Sequence, residues 1–418
     1  MSAPIISPKS TNNPLASASG NPPTPVDGNS PASASGDPAA LAGWTPPTVE
    51  APAGVTGLIT VDLQAIVENW RQLAFRVGPG CQTGAAVKAD AYGLGVIPVA
   101  SALAAAGCRW FFVATPDEGV VLAQSLAKSA PDARVAVLSG PIPGTARELA
   151  AYANLVPVLN DLGQISAWHT AAPGRAAILQ LDTGMARLGL PPEEIDRLAA
   201  DPSLLGSMPV AAIISHLACA DEPDHPLNAI QLAGFTAAAA RLPPAPRSLA
   251  ASSGIFLGSA YHFDLVRPGA ALYGLNPTPS QASPMRQVVG IKAKILQVRE
   301  IDAGRTVGYG ATYAADRPRR VATLGVGYAD GVLRAGSNAA RVFLGPMAIP
   351  VIGRISMDLV TVDVSAVPPQ WVLPGGFVDV LGPQYGADDL ARDCGTIGYE
   401  VLTRLSRRLL RLYGPVAA

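Results

Sequence analysis

The chain has 418 residues, 49% of them hydrophobic and 15% charged, with a formal net charge of −1. That length admits two or three domains and a large buried core. The charge balance gives nothing that would gather nucleic acid or an anionic membrane surface. Cys81, Cys108, Cys219 and Cys394 form no C-x-x-C pair and match no zinc-ligand spacing. A chain this long with so few cysteines reads as a protein of a reducing compartment, with no disulfide framework.

Residues 1–54 are rich in Pro, Ser, Ala, Gly and Asn, with Lys9, Asp27, Asp37 and Glu50 as their only charges. Such a segment cannot bury enough surface to offset the entropy of ordering it, so it reads as a disordered tail. The rival reading is an arm that wraps a partner subunit. No basic stretch followed by an apolar run stands at the N-terminus, which argues against a secretory signal and for a cytoplasmic protein.

From Leu58 onward, short aliphatic runs alternate with alanine- and leucine-rich stretches. Strands are expected at 59–63, 84–88, 110–114, 134–138, 156–159, 177–182, 211–216, 248–251 and 265–268, with helices between most of them, as at 116–128 and 193–200. The uncharged stretch 91–108 contains Gly93, Gly95, Pro98 and Gly107 and reads as a buried loop plus helix, not a membrane span. Repeated β-then-α units predict a parallel sheet with helical crossovers, and eight of them close into a (β/α)8 TIM-like barrel over 55–285. A doubly wound open sheet is the alternative, weakened because no G-x-G-x-x-G follows the first strand.

After about Ser283 the alternation stops. Strand-like runs at 290–299, 320–325, 341–343, 347–352, 359–364 and 377–381, separated by Gly and Pro, predict a mostly-β domain over 286–418. The last stretch, 397–413, reads as a helix carrying Arg404, Arg407, Arg408 and Arg411 on a solvated face or interface rim.

Within 87–95, Lys88 closes an apolar strand and is followed at once by a Tyr-Gly-x-Gly loop. A lysine at the end of a barrel strand points into the mouth where ligands bind, and a desolvated lysine there can act as nucleophile or base. The dipeptide alone would read as a surface lysine. The whole string resembles the cofactor-lysine motif of the alanine racemase family. The resemblance continues, in the family's order, through 182–189, 215–222, 267–274, 307–312, 327–331 and 353–358, and covers most of 57–413.

That resemblance implies a pyridoxal 5'-phosphate (PLP) barrel, a C-terminal β domain and a homodimer with shared active sites. It implies an isomerase that interconverts L-alanine and D-alanine through a PLP external aldimine by a two-base mechanism. Lys88 would carry the cofactor as a Schiff base and serve one face of Cα. Tyr309 of the partner subunit would serve the other. Removing a proton from one side and delivering it to the opposite side calls for two such groups.

By the same resemblance Arg267 would face the pyridine nitrogen, with His216 supporting it by hydrogen bonding. An arginine does not readily leave a proton on that nitrogen. Tyr92, Ser252, Ser253, Gly269, Ala270 and Tyr399 fall where the family binds the cofactor, mostly its phosphate. Arg187 and the backbone N–H of Met357 would bind the substrate carboxylate, and Tyr328 and Asp358 would line the entrance. No metal is expected. Asp221, Glu222, Asp224 and His225 cluster, but Pro223 and Pro226 break the spacing, and an ordinary polar loop is the reading preferred.

Taken singly, Tyr309 reads as a packed strand-end tyrosine, Met357 as core, and the Ser252–Ser253 pair as a helix cap. The chain also departs from the family. Gln180 stands where many members carry a carbamylated lysine, so a chloride or the Gln180 amide oxygen would have to orient Arg187. Ser356 and Ser252 replace a common cysteine and a common asparagine. The competing functions are a broad-specificity amino-acid racemase, a barrel-type PLP amino-acid decarboxylase and a non-enzymatic PLP-binding protein. The Arg267 and 307–312 segments favour a racemase over a decarboxylase.

Overall fold

The computed structural model describes residue 49 and residues 51–415. The tail expected over 1–54 lies outside the described residues except for Val49 and 51–54.

Seven strands form a continuous parallel sheet in chain order: β3 (Ala85–Ala86), β4 (Trp110–Val113), β5 (Arg134–Val137), β6 (Leu155–Leu159), β7 (Ala177–Gln180), β8 (Val210–Ile214) and β9 (Arg247–Ser248). The ring closes through β2 (Gln82–Thr83), which runs straight on to β3 and pairs in parallel with β10 (Leu265–Val266). Backbone hydrogen bonds from Gly84 N to Val266 O (2.9 Å) and from Arg267 N to Ala250 O (2.9 Å) complete the circuit. This is the expected barrel, and the open-sheet alternative is set aside.

The strands lack a polar face because both faces are covered. Along them the residues alternate between two destinations. Trp110, Phe112, Val156, Val158, Ala212 and Ile214 belong to one apolar cluster, the barrel interior. Phe111, Val113, Val135, Val137 and Ile213 belong to the layer packed against the helices. The period of two in a strand produces this split.

The helices start where the sequence offers caps. Asp62 accepts a hydrogen bond from Ala65 N (2.8 Å) at the head of α1 (Leu63–Val77). After α2 (Val96–Ala105), Thr115 and Glu118 make a capping box on α3 (Pro116–Ser129), with Pro116 in the first turn. Four further helices follow between strands: α4 (Ala146–Ala150), α5 (Leu162–Ala171), α6 (Pro192–Ala200) and α7 (Pro226–Ala239).

The second part is built on a long strand, β11 (Val289–Ile301). After the small hairpin of β12 (Thr306–Val307) and β13 (Tyr313–Ala314) come β14 (Arg319–Leu324), β15 (Arg341–Leu344), β16 (Met347–Pro350), β17 (Val360–Asp363) and β18 (Phe377–Leu381). Two short helices follow, α8 (Ala387–Asp393) and α9 (Gly398–Thr403). The sheet includes the order β16–β15–β18–β11, with β14 and then β17 joined at the far half of β11.

Two expectations are corrected here. The strand expected at 59–63 as the first of the barrel is β1 (Gly57–Val61), and it lies in the second sheet, antiparallel to β11. The helix expected over 397–413 ends at Thr403, and its last residues form a strand, β19 (Leu410–Tyr413), parallel to β1. Pairing decides both cases. Leu410 to Tyr413 register against Leu58 to Val61. Arg411 and Tyr413 also donate hydrogen bonds to the carbonyls of Gly93 (3.0 Å) and Leu94 (3.1 Å). A helix through this stretch would leave those partners unmet.

Candidate active site

The strand β3 delivers Lys88 to one end of the barrel, and the chain then makes a left-handed turn. Ala89, Asp90, Ala91 and Tyr92 all have φ between 53° and 57°. Each such L-residue costs about 1–2 kcal/mol, so the turn needs outside support. Glu118 supplies part of it: its carboxylate accepts from Ala89 N (2.7 Å) and from Ala114 N (2.7 Å). Asp90 accepts from Val96 N (2.7 Å), and Arg411 and Tyr413 hold the far end of the loop. Strain concentrated beside a reactive group in this way is common at functional sites.

Lys88 faces a cavity of about 900 Å³ that is also lined by Tyr92, Arg187, His216, Ser252, Ser253, Arg267, Gly269, Ala270 and Tyr399. Ten residues singled out from the sequence, Lys88 included, therefore meet in one place. Burial holds the Lys88 ammonium below the usual lysine range, and the nearby positive charge of Arg187 adds to this while Glu118 opposes it. His216 is pushed down to about 3 by burial, then by Arg267, Arg187 and Lys88. Its ring is therefore neutral at physiological pH.

Arg267 is buried, and burial brings it down to about 10, so it remains a cation. Its guanidinium donates to Ser248 Oγ (2.5 Å) and Ser215 O (2.5 Å). Among the described residues none of its hydrogen bonds reaches the His216 ring, which stands beside it as a neutral neighbour. Ser252 is buried, and its Oγ accepts from Gly269 N (3.0 Å) and Ala271 N (3.1 Å). It shapes the turn after β10 and so fixes where the backbone of Gly269 and Ala270 faces the cavity.

Arg187 is carried by a loop that Asp182 organises by accepting from the N–H groups of Gly184, Met185 and Ala186. Among the described residues its guanidinium has no anionic partner. The Gln180 amide nitrogen donates to Leu188 O (3.1 Å) and so braces the loop just past Arg187.

The residues fit PLP. A Cβ on Gly269 would stand 2.5 Å from the Tyr92 hydroxyl and 3.1 Å from Ala86 Cβ, so only glycine leaves this cradle open. The Tyr92 phenol is pushed above the usual range by burial and stays a donor, and it makes no hydrogen bond to another described residue. A bare backbone cradle with phenolic donors suits a phosphate. A buried cation beside a neutral histidine suits a ring nitrogen that accepts without holding a proton.

Four of the residues singled out from the sequence lie elsewhere in the chain. Tyr309, Tyr328 and Met357 are 73%, 43% and 53% exposed and sit with Asp358 on the second part. Tyr328 N donates to Ser356 O (3.0 Å) and Ala329 N to Met357 O (3.0 Å), so the two loops form one surface. Sequence reasoning missed Glu118, Ser215 and Ser248. The Thr115-x-x-Glu118 spacing marks a helix start, but nothing local shows that the same carboxylate reaches Ala89. Phe112, Leu138, Asn276 and Asp388 also line the cavity and carried no signal of their own.

A closed parallel barrel with a lysine at its mouth, followed by a β domain, defines a barrel-type lysine-centred enzyme class. Models of the alanine racemase N-terminal and C-terminal domains match residues 61–277 and 288–413. The chain belongs to the alanine racemase family. It is 53% identical over 365 residues to the alanine racemase of Rhodospirillum rubrum, covering 86% of this chain and 96% of that one. It is 46% identical over 377 residues to the catabolic alanine racemase of Mesorhizobium japonicum, covering 89% and 96%. Among solved structures, alanine racemase from Bartonella henselae with covalently bound pyridoxal phosphate superposes with a TM-score of 0.81 at 39% identity, covering 87% of this chain and all (100%) of that one.

Proposed function

We propose that this chain is a PLP-dependent alanine racemase that interconverts L- and D-alanine. The observation that carries the reading is the cavity where a desolvated Lys88 meets Arg187, His216 and Arg267 under the Gly269 cradle.

Lys88 would hold the cofactor, with Tyr92, Ser253, Gly269, Ala270 and Tyr399 around its phosphate and Arg267 at its ring nitrogen. Bound there, the cofactor would supply an electrophilic carbon for the substrate amine, displacing the Lys88 amine, and an electron sink that acidifies the Cα hydrogen. The rest falls to the chain. With its pKa lowered by burial, Lys88 Nζ can take or return a proton at one face of Cα. Arg187 offers its unpaired charge to the substrate carboxylate. Arg267 remains a cation that does not readily give up a proton, so the ring nitrogen it faces would stay unprotonated, which would keep the ring a modest sink and favour prompt return of the proton to Cα.

Tyr309 Oη would carry the proton at the opposite face, and Met357 N–H would complete the carboxylate site. Their exposure on the second part suits donation to a neighbouring copy, so the working unit is a homodimer with Tyr328 and Asp358 at the entrance. The same reading divides the chain into a cofactor-binding barrel within 55–285, less the strand β1, and a β domain over 286–418 that β1 joins. It also assigns the chain to the cytoplasm, a reading supported by its four free cysteines. Among the described residues no helix is long and apolar enough to cross a membrane.

Chiral chromatography of the PLP-loaded protein with several L-amino acids tests this. Conversion of alanine to its mirror image, with little turnover of the others, is expected. Turnover of many amino acids alike would indicate a broad-specificity racemase, and release of carbon dioxide a decarboxylase.

A further inference from the structure

We infer that Arg408 is a positioning residue that fixes the shape of the surface formed by Tyr328, Met357 and Asp358. The inference rests on reading that surface as half of an active site.

Arg408 reaches two carboxylates on two separate loops. Its Nε lies 3.3 Å from Asp330 and its Nη2 2.8 Å from Asp358. Asp330 is only 4% exposed and already committed on its other sides. It accepts from Gly327 N (2.8 Å) through its side chain and from Ser406 N (3.2 Å) through its carbonyl. Asp330 is thus a fixed anchor, while Asp358, whose side chain is 54% exposed, is the group being held.

The two loops press together closely enough that a Cβ on Gly327 would lie 2.4 Å from the carbonyl oxygens of Ser356 and Met357. Backbone contact alone fixes their spacing. The tilt of 356–358 about that contact is set by the arginine fork, which spans both acids as a lysine could not. The backbone N–H of Met357 lies next to Asp358 in the chain, so its direction depends on that tilt. The Arg408–Asp358 half of the bridge is open to solvent and contributes little to stability, so the consequence of holding Asp358 is mainly geometric.

Racemisation kinetics of Arg408→Met, Asp358→Asn and the double variant provide the test, with alanine as substrate. Each single change is expected to raise KM on the order of tenfold while kcat falls by less than about threefold. The double variant is expected to be no worse than the worse single one, because both remove the same link. Arg408→Lys should fall between wild type and Arg408→Met, and bound-cofactor absorbance should be unchanged throughout.

KM effects that multiply in the double variant, or an Arg408→Met protein with wild-type KM, would overturn the inference. If Arg408→Met loses its near-UV circular dichroism, the cycle built on Arg408→Lys and Asp358→Asn decides in the same terms. Tyr328→Ala keeps the two readings apart. If Tyr328→Ala and Asp358→Asn both leave KM untouched, the half-site reading fails. If they raise KM and Arg408→Met does not, only the present inference fails.

Discussion

Lys88, Arg187, His216 and Arg267 meet in a single cavity, where burial first and neighbouring positive charge second hold Lys88 and His216 below their usual ranges. Lys88→Ala should abolish bound-cofactor absorbance and borohydride labelling while the protein stays folded. Tyr309→Phe should keep both. It should also lose exchange of solvent deuterium into one enantiomer of alanine far more than into the other; equal loss would count against two separate proton carriers.

His216 makes a pH prediction. Its native pKa lies near 3, below the ordinary 6.5, so the unfolded chain binds more protons throughout that window. Stability from this group is fully present above about pH 6.5 and drains away as pH falls towards 3. Between pH 7 and pH 5 the loss is at most about 2 kcal/mol. Melting curves of His216→Gln should show a correspondingly flatter acid limb. At this scale the sequence spoke clearly about Lys88 and much less about its setting. Ala-Asp-Ala-Tyr contains no glycine, so a left-handed turn at 89–92 had no local signature. Its support comes from Glu118, Arg411 and Tyr413, all distant in the chain.

Most barrel strands were legible as elements because they are short apolar runs that are largely buried, as at 110–113, 134–137, 155–159 and 177–180. The strands of the β domain were legible because aliphatic residues recur between Gly and Pro breaks, and in Val289–Ile301 and Phe377–Leu381 they alternate with more exposed polar positions. The final segment was misread because leucine and arginine are good helix formers, and propensity is silent about an open sheet edge. What places Leu410–Tyr413 is its parallel register with β1. Truncation before Leu410 should therefore do more than trim an end. It removes a strand together with two hydrogen bonds to the loop after Lys88, and a lower melting temperature with weakened cofactor retention is expected by calorimetry and dialysis.

In the whole molecule, the candidate residues divide between the barrel mouth and an exposed surface on the second part. A homodimer that pairs one chain's mouth with the other's surface makes a mixing prediction. Lys88→Ala and Tyr309→Ala proteins, each inactive alone, should regain about a quarter of wild-type activity when unfolded and refolded together, since half of the randomly assorted dimers hold one intact site. No recovery would mean that both residues serve from the same chain.

The position of β1 has a consequence for biosynthesis. Gly57–Val61 is the first strand of the described residues to leave the ribosome, yet its two neighbours in the sheet are residues 289–293 and 410–413. It stays unpaired until residues 289–293 have been made, and its other edge stays open until residues 410–413 follow. Contacts so distant in sequence are slow to form and leave sticky edges exposed meanwhile. The emerging polypeptide therefore depends on residues 410–413 to cover one edge of its earliest described strand, and ribosome stalling before codon 410 should yield aggregates in place of a stable half-enzyme.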